Sequence, residues 1–129
     1  MNDKYIIVDN KCENTVADGK MIGYEFRIRI PYYQGVPLSQ VNFIKVGIDG
    51  TEVPQEDISV FTVTGEELKL SEILTVSYYY WEYMEPMRVL VYKDGGLEKG
   101  KHRLDVSASI DVIYSPAGFA TNAFCEFEI

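Results

Sequence analysis

Apolar and polar residues alternate along most of the chain. In GYEFRIRI, Tyr24, Phe26, Ile28 and Ile30 fall on one side of an extended backbone, and Glu25, Arg27 and Arg29 on the other. FIKVGID repeats the pattern, with Ile44, Val46 and Ile48 on one face and Lys45 and Asp49 opposite. HRLDVSASIDVIY carries it furthest: Leu104, Val106, Ala108, Ile110 and Val112 against Arg103, Asp105, Ser107, Ser109 and Asp111. A period of two sends successive side chains to opposite faces, so each segment reads as a strand with one packed and one wet face. Shorter strands are expected at Tyr5–Val8, Ile58–Val63, Met87–Tyr92 and Ala123–Ile129. GEELKLSEIL, residues 65–74, gives at most one helical turn, because its Leu68/Leu70 alternation suits a strand equally.

Turn chemistry separates these segments. Asp18-Gly19, Asp49-Gly50 and Asp94-Gly95-Gly96 supply the positive φ that tight turns need. Strand, turn, strand at this spacing predicts an all-β fold, an antiparallel β-sandwich of jelly-roll-like type, as one domain over residues 1–129. An apolar fraction of 47 % supports a packed core and argues against disorder.

Charge narrows the partners. A net charge of −8 with no Lys/Arg cluster opposes binding to nucleic acid or to anionic membranes. No stretch approaches the roughly 20 apolar residues of a membrane span, and MNDKYIIVDNK lacks the apolar core of a signal peptide, so a soluble cytoplasmic protein is expected. Cys12 and Cys125 lie near opposite ends. Terminal strands of a sandwich can be bridged, but in a reducing cytoplasm two free thiols are the expectation.

Reactive groups are sparse. His102 is the single histidine, so any Ser-His-Asp or Cys-His arrangement must use it. It stands where a turn enters the long strand, beside Lys101 and Arg103, and is expected to be an exposed turn histidine. One histidine and two distant cysteines do not make a zinc site. IDGTEVPQED lacks the calcium-loop pattern, and no glycine-rich phosphate loop occurs. The twenty acidic residues are scattered and single out no catalytic pair. The expectation is a chain without a catalytic set, a metal site or a cofactor of its own.

Aromatic residues are abundant instead: 13 % of the chain, ten of them tyrosines. Tyrosine suits surfaces that are dry at one end and wet at the other. SYYYWEYMEP, residues 77–86, read as a strand puts Tyr79, Trp81 and Tyr83 on one face and Tyr78, Tyr80 and Met84 on the other, and neither face is polar. Such a strand needs cover from the rest of the chain, a second copy, another subunit or a sugar. IPYYQGVPLS, residues 30–39, is the second dense stretch. Pro31 ends the preceding strand, Gly35 permits a turn, and Ile30 and Val36 are held extended by the prolines after them. The loop is therefore stiff. It either presents Tyr32 and Tyr33 for binding at low entropic cost or folds both rings over the end of the sandwich.

The segment RIRIPYYQGVPLSQVNFIKVGIDGTEVPQEDI, residues 27–58, resembles the small (beta) subunit family of bacterial C-glycoside deglycosidases. PYYQGVPLS followed by VPQEDI carries most of the likeness, joined by the run around Trp81, GLEKGKHRLDV at 96–106 and YSP at 114–116. Gln34 stands where the family often carries arginine, which bears on any anion or hydroxyl contact made there. The resemblance implies a hetero-oligomer with a large (alpha) subunit of barrel fold that holds a divalent metal, typically manganese, and the acid–base groups. It implies cleavage of the C–C bond between sugar and aglycone in aromatic C-glycosides such as flavonoid 3-oxo-glucosides, by β-elimination, which makes the complex a carbon–carbon lyase of polyphenol and carbohydrate metabolism. Within it this chain would be an accessory β-sandwich, with Tyr32, Tyr33, Gln34, Tyr79, Trp81 and Tyr83 as candidates for the partner interface or the vicinity of substrate. Two alternatives stay open: a free-standing carbohydrate-binding module using Tyr79, Trp81 and Tyr83 as its platform, and an enzyme using His102 with acidic residues.

Overall fold

The computed structural model describes residues 6–29, 36–37, 41–61, 65–70, 80–81, 86–112 and 115–129; at 36–37, 41–43, 80–81, 110–112 and 115–121 the description is of the backbone. Eleven strands are seen among them: β1 Glu13–Ala17, β2 Lys20–Ile28, β3 Val36–Pro37, β4 Val41–Ile48, β5 Thr51–Glu52, β6 Ile58–Phe61, β7 Glu67–Lys69, β8 Tyr80–Trp81, β9 Met87–Tyr92, β10 Lys101–Val112 and β11 Ser115–Glu128. One sheet has the order β1-β2-β9-β6-β7, the second β11-β10-β4-β5, and β3 pairs with β8 in a separate two-stranded ladder. Every pairing among these strands is antiparallel. No helix among the described residues is long and apolar enough to cross a membrane.

The alternation seen in the sequence sets the core. Tyr24, Phe26 and Ile28 of β2, Val89 and Val91 of β9 and Ile58 and Val60 of β6 face Ile44 and Val46 of β4 and Leu104, Val106 and Ala108 of β10 in one buried cluster. Full burial of such side chains stabilises by about 1.5–3 kcal/mol each, so this shared layer holds the two sheets together as a sandwich. Cys12 and Cys125 belong to the same cluster and are free thiols, as expected.

Several elements differ from the sequence reading. Of the strand expected over Tyr5–Val8, the described residues 6–8 form none. Ile7 makes a single bridge to Ile28, and the chain then enters a 3-10 turn over Val8–Asn10. Asp9 and Asn10 take left-handed φ values of 56° and 49°, a region short polar side chains tolerate and a strand excludes. Glu67–Lys69 is a strand rather than a helical turn, with Leu68 opposite Val60. β11 begins eight residues earlier than Ala123, passing through Pro116. It bonds only to β10, and an edge strand accommodates a proline. Ser109, on the outward register of β10, is buried, unlike the exposed face expected for it.

Three connections pass between the sheets. The second runs from β5 to β6: the Val53 amide donates to Val46 O (2.8 Å), Asp57 N closes a turn on Pro54 O (3.0 Å), and Gln55 Nε2 donates to Ile44 O (3.1 Å). The third runs from β9 to β10 through 93–100. Asn14 grips it from β1, donating to Leu97 O (3.0 Å) and accepting from Leu97 N (2.7 Å). Gly96 is required there, because a Cβ would stand 2.6 Å from Asn14 Oδ1 at a φ of 67°. The first, from β2 to β4, contains β3.

Candidate functional site

The aromatic stretches meet through β3 and β8. Val36 is opposite Trp81 and Pro37 opposite Tyr80. Thus the proline-bounded segment and the tyrosine-rich run, forty-odd residues apart in sequence, are hydrogen-bonded neighbours. Pro37 has no N–H to give to that ladder. Of the residues singled out from the sequence, Trp81 is placed by its backbone. Tyr32, Tyr33, Gln34, Tyr79 and Tyr83 lie outside the described residues.

The ladder connects to one end of the strands around it. β2 stops at Ile28 opposite Met87, where β9 starts, and β4 starts at Val41 opposite Ile110. The other ends are tied together separately. Lys93 N and Gly95 N donate to Ile22 O (2.9 Å) and Met21 O (3.0 Å), which draws the end of β9 to the start of β2.

At that second end the structure assembles a cluster that the sequence reading missed. His102 Nδ1 lies 2.6 Å from Asp49 Oδ2, and Nε2 lies 2.7 Å from Glu98 O. Asp49 Oδ1 accepts from the Arg103 amide (2.9 Å), and the imidazole stacks on Phe127 with centroids 5.7 Å apart. The hydrogen bonds that the ring makes to Asp49 and then to Glu98 O raise the His102 pKa above 6.5, against a smaller effect of burial. Asp49 is correspondingly lowered, first by His102 and then by the Arg103 amide. The expected exposed turn histidine is corrected: the residue is in β10 and its side chain is 12 % exposed. The signal was weak because Asp49 and His102 are distant in sequence and meet only through the pairing of Ile48 with Leu104.

A second polar cluster covers the outer face of the five-stranded sheet. Arg88 donates to both oxygens of Glu25 (2.7 and 3.0 Å), Thr15 Oγ1 donates to Oε1 (2.8 Å), and the guanidinium lies 4.2 Å from the Phe61 ring centre. Burial would raise the Glu25 carboxyl, but the bonds from Arg88 and Thr15, with the charges of Arg88 and Arg27, more than offset it, and the pKa is lowered. Tyr92 Oη donates to Glu67 beside it, and burial followed by that bond pushes the phenol up to about 12.

The described reactive groups are therefore engaged. Neither His102 nitrogen is free to take a substrate proton. Burial foremost, then the charges of Cys125, Glu13 and Glu25, pushes the Cys12 thiol up to about 12, and burial with Asp105 pushes Cys125 up to about 11, so neither is a thiolate near neutrality. Among the described residues no three His, Cys, Asp or Glu side chains converge as metal ligands would. Their exposed large apolar side chains are Val16 and Met21, which pair across β1 and β2.

The family model for the C-glycoside deglycosidase beta subunit matches residues 2–114. The chain belongs to that family. The C-glycoside deglycosidase beta subunit of Eubacterium cellulosolvens (strain ATCC 43171 / JCM 9499 / 6) is 30 % identical over 100 residues, which cover 78 % of this chain and 67 % of the relative. Membership in a beta-subunit family implies a partner subunit in an enzyme complex. The match spans both strands of the aromatic ladder and ends before β11. Two of the motifs that carried the resemblance in the sequence occupy passages between sheets: VPQEDI spans the turn from β5 into β6, and GLEKGKHRLDV leads from β9 into β10.

Proposed function

We propose that this chain is the accessory small subunit of a hetero-oligomeric C-glycoside deglycosidase, and that it docks on a large barrel subunit through the end bearing the β3–β8 ladder. The observation that carries this reading is the pairing of Val36 with Trp81, which joins the two aromatic stretches in a chain whose family is defined as a beta subunit. Preorganised aromatic surface is what a docking site uses, and the described surface elsewhere offers only the Val16–Met21 pair. Tyr32, Tyr33, Gln34, Tyr79, Trp81 and Tyr83 are the proposed contacts.

The complex is proposed to act on 3-oxo aromatic C-glucosides, including flavonoid glycosides. A carbonyl at C3 acidifies the C2 proton. Once a base removes it, the electron pair forms the C1–C2 double bond and the C1–aglycone bond breaks. The polyphenol leaves as a carbanion that is protonated on carbon, and an unsaturated keto-sugar remains. The acid–base groups and a divalent metal, manganese, are proposed to belong to the large subunit. The cytoplasm is the proposed compartment, in keeping with two unbridged buried thiols.

Co-expression with the large subunit tests the proposal. Wild-type chain should co-purify and support C–C cleavage. Tyr32→Ala/Tyr33→Ala and Trp81→Ala variants that retain the far-UV circular dichroism of the folded chain should lose most of both. Undiminished co-purification and turnover in both variants would sink the docking assignment. Sugar binding by the isolated chain would favour a carbohydrate-binding module instead.

A further inference from the structure

We propose that His102 is held as an imidazolium and acts as a pH-gated fastener, tying the 93–100 crossover and the Asp49-Gly50 turn to the start of β10 at the end of the sandwich away from the aromatic ladder. The argument is one of donors and acceptors. Both partners of the ring, a carboxylate oxygen at 2.6 Å and a backbone carbonyl at 2.7 Å, can only accept. A neutral imidazole carries one N–H, so no neutral tautomer satisfies both contacts. The doubly protonated ring satisfies both. Asp49 is committed on its far side as well, because Oδ1 holds the Arg103 amide. It therefore cannot turn away to relieve the ring.

Loss of the proton has a directional consequence. The remaining N–H stays with Asp49, the charged and stronger acceptor. Nε2 then points a lone pair at the lone pairs of Glu98 O, and that contact becomes repulsive. The crossover is thus the part released, while the Asp49–Arg103 bond persists. Glu98 is exposed and can move toward water. Gly100, which exchanges backbone bonds with Ile129 (3.0 and 3.4 Å), is the next element to loosen.

Charges around the ring come from every neighbouring segment. Asp49 from the β4–β5 turn and the Glu98 carboxylate from the crossover favour the proton. Lys101 and Arg103 of β10 and Glu126 and Glu128 of β11 line the adjoining depression, opposing and favouring it respectively. Arg103 is itself bound to Asp105 (3.1 Å) and lies over Phe124 (4.1 Å), which draws its charge toward β11 and away from the imidazole. The fastener is closed between the lowered pKa of Asp49 and the raised pKa of His102, and opens as pH rises through the latter. The inference does not depend on the deglycosidase reading.

Because the chain has a single histidine, the test needs no assignment strategy. NMR titration of the full chain should show one imidazole with a midpoint above about 6.5, both ring nitrogens protonated below it, and the Nδ1–H tautomer above it. Asp49→Asn should lower the midpoint. Amide exchange at Gly100 and Lys101, corrected for intrinsic base catalysis, should quicken about fivefold as the wild type crosses its midpoint, and show no such step in His102→Gln. A midpoint at or below about 6.5, a neutral tautomer at about pH 5.5, or exchange that ignores the midpoint would each overturn the proposal. The wild-type titration decides the matter even if a variant does not fold.

Discussion

Gly23→Ala isolates how tightly the five-stranded sheet is drawn together. Gly23 lies in β2 opposite Tyr92, next to the irregularity where Thr15 pairs with Gly23 but Val16 already pairs with Met21. A Cβ at this position would stand 2.0 Å from Val91 O, 2.9 Å from Val91 C and 3.0 Å from Tyr92 Cα. All three are backbone atoms of β9, which is bonded to β2 on one side and β6 on the other. No side chain can swing away to make room. Restoring an ordinary contact of 3.4 Å requires a shift of about 1.4 Å, at the cost of about two ladder hydrogen bonds of ~1 kcal/mol each and about 2 kcal/mol of displaced packing at Val89 and Val91. The narrower unfolded ensemble of alanine returns about 0.4–1 kcal/mol. The net expectation is a loss of about 3 kcal/mol, or a fall in Tm of about 10 °C for a chain of this length.

Gly47→Ala is the internal control. It lies in β4, and a Cβ there would meet Asp105 Cβ and Thr51 O at 3.6 Å, an ordinary van der Waals distance. The same substitution should therefore be neutral or stabilise by up to about 1 kcal/mol. Urea unfolding followed by far-UV circular dichroism measures both variants on one scale. The reasoning fails if Gly23→Ala stays within about 0.5 kcal/mol of wild type, or if Gly47→Ala costs as much as Gly23→Ala.

Other outcomes follow from the polar clusters and the core. Glu25→Gln should destabilise by about 1–2 kcal/mol at neutral pH, because it removes the charge that holds Arg88. The folded pKa of Glu25 is lowered, so its stabilisation is present above the unfolded value of 4.5 and is lost as pH falls through the folded one; urea midpoints of variant and wild type should converge in acid. Ser59→Ala should stabilise by about 1 kcal/mol, since the buried Ser59 Oγ has no hydrogen-bond partner among the described residues, and a destabilised variant would show that the hydroxyl is satisfied in solution. Native protein at about pH 8 should resist a thiol reagent at Cys12 and Cys125 for as long as it stays folded, and both should react in denaturant; prompt native labelling of either would contradict their burial.

What could be read from the sequence, and what could not, separates along one physical line. Tyr24, Phe26 and Ile28, or Leu104, Val106 and Ala108, announce their inward face because alternation is local and each strand carries its own pattern. Asp18-Gly19 and Asp49-Gly50 announce turns for the same reason, and both adopt the positive φ they suggest. The His102–Asp49 contact, the Glu25–Arg88 pair and the β3–β8 ladder depend on which strands become neighbours, and alternation does not encode that. The early start of β11, through Pro116, is hidden for a related reason: a proline forbids a central strand but not an edge one, and edge position belongs to the whole sheet.

Three of the motifs that marked the family likeness also fall on passages from one sheet to the other. PYYQGVPLS lies between β2 and β4, VPQEDI between β5 and β6, and GLEKGKHRLDV between β9 and β10. The latter two have a structural account in described bonds: Gln55 to Ile44, Asn14 to Leu97, His102 to Asp49 and Glu98. They set how the sheets are joined. PYYQGVPLS differs, because a crossover needs length and stiffness but has no use for two adjacent tyrosines, and β3 within it bonds to a second aromatic run instead of extending either sheet. The docking assignment treats those tyrosines as surplus to joining the sheets, and it rests on the ladder that ties their passage to the second aromatic run.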